Sequence, residues 1–355
     1  MDNHITYKQA VEMLDSQKEE YRILDLGEKW RAIVTRYGGR LLGPFKNEDG
    51  ESVLWINEAM KNETAFKAFI ENNEAQLGGE RFWINPELRF YCEAPEKFDE
   101  TYTTQREIDP GHYTLEIEDG NVYLSQHTCL KDLNDGTEKK FYIKRRYTRA
   151  ENPLEYIKAL KELDVDYCGY IQDIELKDET PGGSVELEPW VLTQVNPDGK
   201  FVTPFFGDFE FVDYYTPVEE MQKVCAGYVE LDVTGNRKYK VAYRAVQTFG
   251  RMAFVKRWEA GWHLMVRNYY NDPSVSYCSE PWGDLGNRGC SVYYYNDDLS
   301  NGGFAEFENG GLTLGKKANR ADSYNTTSLW FFFGGQKEIK TVMKYLLGID
   351  YQFDD

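Results

Sequence analysis

Apolar positions along the chain recur with two different periods. Over residues 7–20, Ala10, Met13 and Leu14 fall on one face at helical spacing, which predicts an amphipathic helix. Met60, Ala65, Phe66 and Phe69 keep that spacing over residues 58–73 and predict a second helix, laid over a loop or a sheet edge. Between them, residues 31–37 (RAIVTRY) read as a strand stopped by Gly38 and Gly39, and residues 53–56 as another. From about Tyr102 the period becomes two. Tyr113, Leu115 and Ile117 alternate with polar residues, Asp119-Gly120-Asn121 makes a hairpin turn, and residues 122–125 and 141–147 carry the alternation on. Residues 153–163 read as a short helical insertion. Strand-like runs follow at 167–175, 185–195, 207–212, 227–233, 239–244, 252–258, 263–269, 289–295, 304–308 and 327–333. Residues 336–347 close the chain as an amphipathic helix.

Short strands with turns every 8–12 residues or so indicate a mainly β protein built as a large antiparallel β-sandwich with a few peripheral helices. No internal repeat and no linker-like composition divides the chain. The expectation is one domain over residues 1–355, with a helical segment at 1–25 and a terminal helix at 336–348.

Composition narrows the partners. The 355 residues carry 41 Lys+Arg against 60 Asp+Glu, a formal charge of −19. Such a balance disfavours nucleic acid, whose binding displaces counterions with Lys and Arg, and disfavours an anionic membrane surface. No run approaches the ~18 apolar residues of a membrane span. No basic stretch followed by an apolar core opens the sequence, so a cytoplasmic location is expected. The six cysteines (Cys92, Cys129, Cys168, Cys225, Cys278, Cys290) are scattered without a CxxC and read as reduced, mostly buried thiols. Histidines number four, at positions 4, 112, 127 and 263, so a histidine-rich metal site is not indicated. There is no Walker loop, HExxH, GxSxG or EF-hand loop, and no cofactor is expected. A carboxylate pair can hold Ca²⁺, but several further oxygens would be needed.

Chemistry is left to carboxylates, arginines and aromatic rings, and these cluster. In Gly78-Gly79-Glu80-Arg81-Phe82-Trp83, an extended backbone puts Arg81 and Trp83 on one face and Glu80 and Phe82 on the other. A guanidinium beside an indole suits a polyol, donating to hydroxyls while the ring covers apolar C–H groups. A buried Glu–Arg pair closing a loop would look the same. In Phe304-Ala305-Glu306-Phe307-Glu308, flanked by glycine pairs, both carboxylates leave one face of a strand, roughly 6–7 Å apart along it. That proximity raises a carboxyl pKa and can poise a general base; an outer, solvated strand face fits the pattern too. Trp190, Leu192 and Gln194 share a face and offer a ring with an amide, or a core tryptophan with a surface amide. His263 lies in a strand with Arg267 on the same face and could act as an acid or be structural.

Taken in order, several motifs resemble the galactose-mutarotase-like superfamily, in the uncharacterised bacterial branch related to aldose 1-epimerases. They are Gly38-Gly39-Arg40-Leu41-Leu42-Gly43 before Val53-Leu54-Trp55, then Gly78–Trp83 with Pro86-Glu87, then Phe304–Glu308 followed by Gly311-Leu312-Thr313-Leu314-Gly315. The resemblance implies an antiparallel β-supersandwich and an isomerase acting on a mono- or oligosaccharide. In that superfamily a strand-borne glutamate takes the proton of the anomeric hydroxyl and a histidine protonates the ring oxygen. Phe307-Glu308-Asn309 matches the glutamate's motif, so the resemblance implies Glu308 as base, with Glu306 in reserve, and Arg81 as the substrate-binding arginine. The superfamily's mid-chain acid histidine has no counterpart around Trp190–Gln194. His263 would have to substitute from a later strand, or a tyrosine or water would act.

Fold resemblance does not select a reaction. A non-catalytic sugar-binding protein with Trp83 and Trp190 as platform is one alternative. A lyase or hydrolase for an acidic sugar, with Arg40, Arg81 and Arg267 neutralising its carboxylate, is another.

Overall fold

The computed structural model describes residues 4–353. Among them nineteen strands form two antiparallel sheets. The strands are β1 Tyr21–Gly27, β2 Trp30–Thr35, β3 Leu41–Lys46, β4 Glu80–Asn85, β5 Thr114–Glu118, β6 Asn121–Lys131, β7 Glu138–Arg149, β8 Val165–Asp178, β9 Glu188–Val195 and β10 Gly199–Pro204. They continue with β11 Phe211–Asp213, β12 Gln222–Cys225, β13 Tyr228–Val233, β14 Tyr239–Arg244, β15 Arg251–Trp258, β16 Gly261–Asn268, β17 Cys290–Asn296, β18 Ala305–Gly310 and β19 Asp322–Gly334. The first sheet runs β1-β2-β3-β4-β9-β18-β17-β14-β11 and the second β12-β13-β10-β15-β16-β19-β8-β7-β6-β5. The sandwich expected from the sequence is thus the architecture observed.

Period-two patterning explains why the sheets face each other. Ala305 and Phe307 of β18 and Val292 and Tyr294 of β17 meet Phe201, Phe254, Met265 and Phe331 of the opposite sheet in the main core. Burying such side chains contributes about 1.5–3 kcal/mol each. The outer face of the second sheet is covered by α5 (Gln336–Leu347), whose Ile339, Val342, Met343 and Leu346 pack on Val255, Leu264 and Phe332. Gly348, in the left-handed conformation, caps that helix. On the first sheet, helices α1 (Tyr7–Ser16) and α2 (Glu63–Glu71) cover only the β2–β3 end, through Leu14, Phe66 and Phe69 against Ile33, Leu42 and Phe45. The middle of that outer face carries the polar side chains described below.

Several expectations are corrected. The helical segment expected at 1–25 is helical over Tyr7–Ser16 and turns into β1 at Tyr21, while residues 1–3 lie outside the described residues. The insertion at 153–163 is helical only as a single 3-10 turn at Lys158–Leu160. Asn152-Pro153 starts a turn there, and Leu154 and Leu160 bury against α5's cluster instead of stacking on one helical face. The expected strand at 53–56 is reduced to isolated bridges at Leu54 and Ile56, and that at 207–212 to β11. Strands β1, β3, β10 and β12 lie outside the runs that alternation predicts. No helix among the described residues is long and apolar enough to cross a membrane.

Candidate functional site

Register brings the polar residues of the first sheet together. Leu192 of β9 lies between Arg81 of β4 and Glu308 of β18, and Glu308 in turn lies opposite Tyr293 of β17. One row along, Gln194, Glu306, Tyr295 and Lys240 follow across β9, β18, β17 and β14. Cross-strand neighbours have Cβ atoms about 4.5–5.5 Å apart, so five adjoining strands, β4, β9, β18, β17 and β14, present one polar surface. Close backbone approach makes this possible at Gly79, whose φ of +71° and contact with the Leu41 carbonyl leave no room for a side chain.

This surface floors a cavity of about 210 Å³, lined among others by Arg81, Trp83, Trp190, Lys240, Glu306 and Glu308. The short helix α3 (Glu87–Phe90) supplies Glu87 to one wall, and α4 (Phe98–Thr101) brings Phe98 and Asp99 to the rim. Tyr102, Tyr215, Tyr295 and Phe304 complete an aromatic border.

One half of the site is a buried ionic network. Arg81 Nη2 donates to Glu306 Oε1 at 2.6 Å and Nη1 to Gln76 Oε1 at 3.1 Å. The guanidinium carbon lies 3.9 Å from the Trp83 ring centroid, a cation–π contact. Gln194 Nε2 donates to both Gln76 Oε1 and Glu306 Oε1. Beneath them Asp109 Oδ2 accepts from Trp83 Nε1 (3.0 Å) and from Arg40 Nη2 (2.7 Å). Burial pushes the Glu306 carboxyl up, and the Arg81 guanidinium pulls against it.

The other half centres on Glu308. Its Oε2 accepts from Trp190 Nε1 at 2.8 Å and lies 3.9 Å from Lys240 Nζ. Its Oε1 is buried and has no hydrogen-bond partner. Burial pushes this carboxyl up to about 8, against the pull of the Lys240 ammonium and with the Glu306 and Glu87 carboxylates adding to the rise. Lys240 Nζ in turn donates to Glu87 Oε2 at 2.7 Å and sits 4.5 Å from the Trp190 ring centroid.

Of the residues singled out in the sequence, Arg81, Trp83, Trp190, Glu306 and Glu308 line the cavity, and Gln194 is bonded directly to Glu306. Four others are placed elsewhere. Glu80 points between the sheets, where its Oε2 accepts from Arg267 Nη2 at 2.6 Å. That pair joins the two sheets, because odd and even positions of β4 face opposite sides. Arg40 lies behind Asp109, fully buried. Arg40 and Arg267 are therefore not positioned to meet a substrate carboxylate in this cavity. His263 belongs to the second sheet, stacked at 5.0 Å on Phe333, and burial pushes its imidazole down to about 3. None of the histidines among the described residues lines the cavity.

Sequence reasoning missed Lys240, Glu87, Gln76 and Asp109. For Lys240 a signal existed: it is a lysine inside the strand-like run at 239–244, flanked by Tyr239, Val241, Ala242 and Tyr243. Asp109 and Gln76 come from irregular segments and gave none.

Residues 5–176 match a family described as a family of unknown function, DUF6786. No curated protein matches the chain. Among solved structures, the chain is similar to a galactose mutarotase related enzyme from Lactobacillus acidophilus, at 6% identity and a TM-score of 0.49, covering 89% of this chain and 98% of that one. It is also similar to a candidate aldose 1-epimerase from Klebsiella pneumoniae, at 8% identity and a TM-score of 0.43, covering 96% and 91%. An α-galactosidase from Geobacillus stearothermophilus in complex with raffinose matches at 10% identity and a TM-score of 0.33, covering 89% of this chain and 41% of that one. At these values the likeness bears on neither substrate nor reaction.

Proposed function

We propose that this cavity binds one sugar ring and that the protein interconverts the anomers or epimers of an aldose, with Glu308 as the general base. The observation that carries the reading is Glu308 itself. A carboxylate oxygen without a partner, buried in a wall shared with two indoles and a guanidinium, is suited to accept the proton of a hydroxyl. A carboxyl that titrates near neutral pH can both take that proton and return it.

The remaining walls support the assignment of a sugar. The volume of about 210 Å³ lies below the roughly 300–1,000 Å³ of clefts for drug-sized ligands, which favours a single ring. Tyr102, Tyr215, Tyr295 and Phe304 bring ring surface to its border, and Arg81, already fixed by Glu306, Gln76 and Trp83, presents a donor whose orientation costs little to hold. Removing the anomeric proton and opening the ring gives a free aldehyde. Rotation about C1–C2 and reclosure then deliver the other anomer.

One observation favours a second reading, a sugar-binding protein without turnover: no histidine among the described residues lines the cavity. An aldose panel followed by exchange NMR separates the two. Exchange faster than the spontaneous rate supports the isomerase. Saturable binding of an aldose with no faster exchange supports the binder, and neither binding nor exchange removes both.

A further inference from the structure

Ring opening needs a proton at the ring oxygen as well as a base at the anomeric hydroxyl, and Lys240 lines the cavity beside that base. We propose that Lys240, held by Glu87, is the proton donor to the ring oxygen, an inference that rests on the isomerase reading.

Lys240 stands on β14, the strand beyond β17, so its ammonium reaches the cavity from the side opposite Arg81. Its Nζ lies 3.9 Å from Glu308 Oε2, so the two groups can address two oxygens on one carbon. Glu87 accepts one of its three protons at 2.7 Å. The other protons face the rings of Trp190, Tyr214 and Tyr293, at 4.5, 5.4 and 5.9 Å to the centroids, and the cavity. The second lining lysine, Lys238, is a third exposed and tied to Asp99 at the rim, too peripheral for the role.

The chemistry balances. Glu308 takes the proton from the anomeric oxygen as the C1–O bond to the ring oxygen breaks and the C1=O bond forms. The departing ring oxygen is an alkoxide in the making, a far stronger base than an amine, so proton transfer from the ammonium runs downhill. On reclosure Lys240 recovers its proton from the same hydroxyl and Glu308 returns its own to the carbonyl oxygen. Burial works to neutralise Lys240, but Glu308, Glu87 and Glu306 outweigh it and hold its pKa above the ordinary lysine value. The groups facing it are those three carboxylates and the rings of Trp190, Tyr214 and Tyr293.

The test compares wild type with Lys240→Arg, which keeps the charge and the Glu87 pair but does not give up a proton. With the aldose turned over by wild type, kcat should fall about 100-fold or more while KM stays within about threefold, and the loss of activity at high pH should vanish. A kcat near wild type, or a change confined to KM, overturns the proposal. Glu87→Gln guards against a variant that does not fold: it removes a carboxylate that stabilises the ammonium, so the high-pH limb should move down, and an unmoved limb overturns the proposal. Wild type without exchange on any aldose would sink the isomerase reading itself, and this inference with it.

Discussion

Arg81 and Glu306 are 225 residues apart in sequence and meet at 2.6 Å, both almost wholly shielded from water. An ion pair in such a place loses the hydration of both charges, and a well-packed apolar pair would often serve the fold as well or better. Its position at a cavity wall, beside an indole and a second carboxylate, is what gives the pair its interest. Removing one partner should expose the cost. Arg81→Met is expected to lower unfolding stability by about 3–5 kcal/mol, and adding Glu306→Gln should recover part of that loss. Urea denaturation of the two single variants and the double variant reads the cycle; additive losses would mean that the pair is not coupled.

The raised carboxyls should show in the pH dependence of stability. Glu308 is pushed up to about 8 and Glu188, buried between Asn85 and the Cys278 amide, to about 7. Between the unfolded value near 4.5 and these folded values the native state holds more protons than the unfolded chain. Unfolding stability should therefore fall as pH rises from about 5 to 8. Glu308→Gln should flatten part of that slope in melts run across the range, and an identical slope in the variant would place its titration elsewhere.

Much of the fold is legible in the sequence because alternation is a direct consequence of one face being buried. The Glu306–Glu308 and Arg81–Trp83 faces came from parity alone. What parity cannot give is which strand lies beside which. The neighbours of β18 are β9 and β17, and the Lys240 strand is one further on. Lys240 enters the site through that order, not through any local pattern. Asp109 and Gln76 reach it from segments with no period. Parity likewise sets Glu80 on the face opposite Arg81, but not that this face looks into the dry space between the sheets, where Arg267 meets it.

His263 supplies a control. It stacks between Phe333 and Phe331 on the other sheet. His263→Gln should leave aldose exchange within about twofold of wild type in a protein that still folds, as expected for a change far from the site. A collapse of kcat with KM and melting temperature unchanged would return His263 to the mechanism.

Trp190 should tune the base. Its Nε1 is the hydrogen-bond donor to Glu308 Oε2, and a donor to the ionised carboxylate lowers its pKa. Trp190→Phe keeps a ring and removes the donor, so the low-pH limb of the exchange profile should shift to higher pH. A limb that stays put would separate Trp190 from the base.

The most direct measurement is two-dimensional exchange NMR of anomer interconversion with wild type and Glu308→Gln at equal concentration, alongside calorimetric binding of the same aldose. The account predicts a fall of about 100-fold or more in the exchange rate with binding retained, the size expected when a positioned base is lost. Equal exchange rates in the two proteins would contradict it.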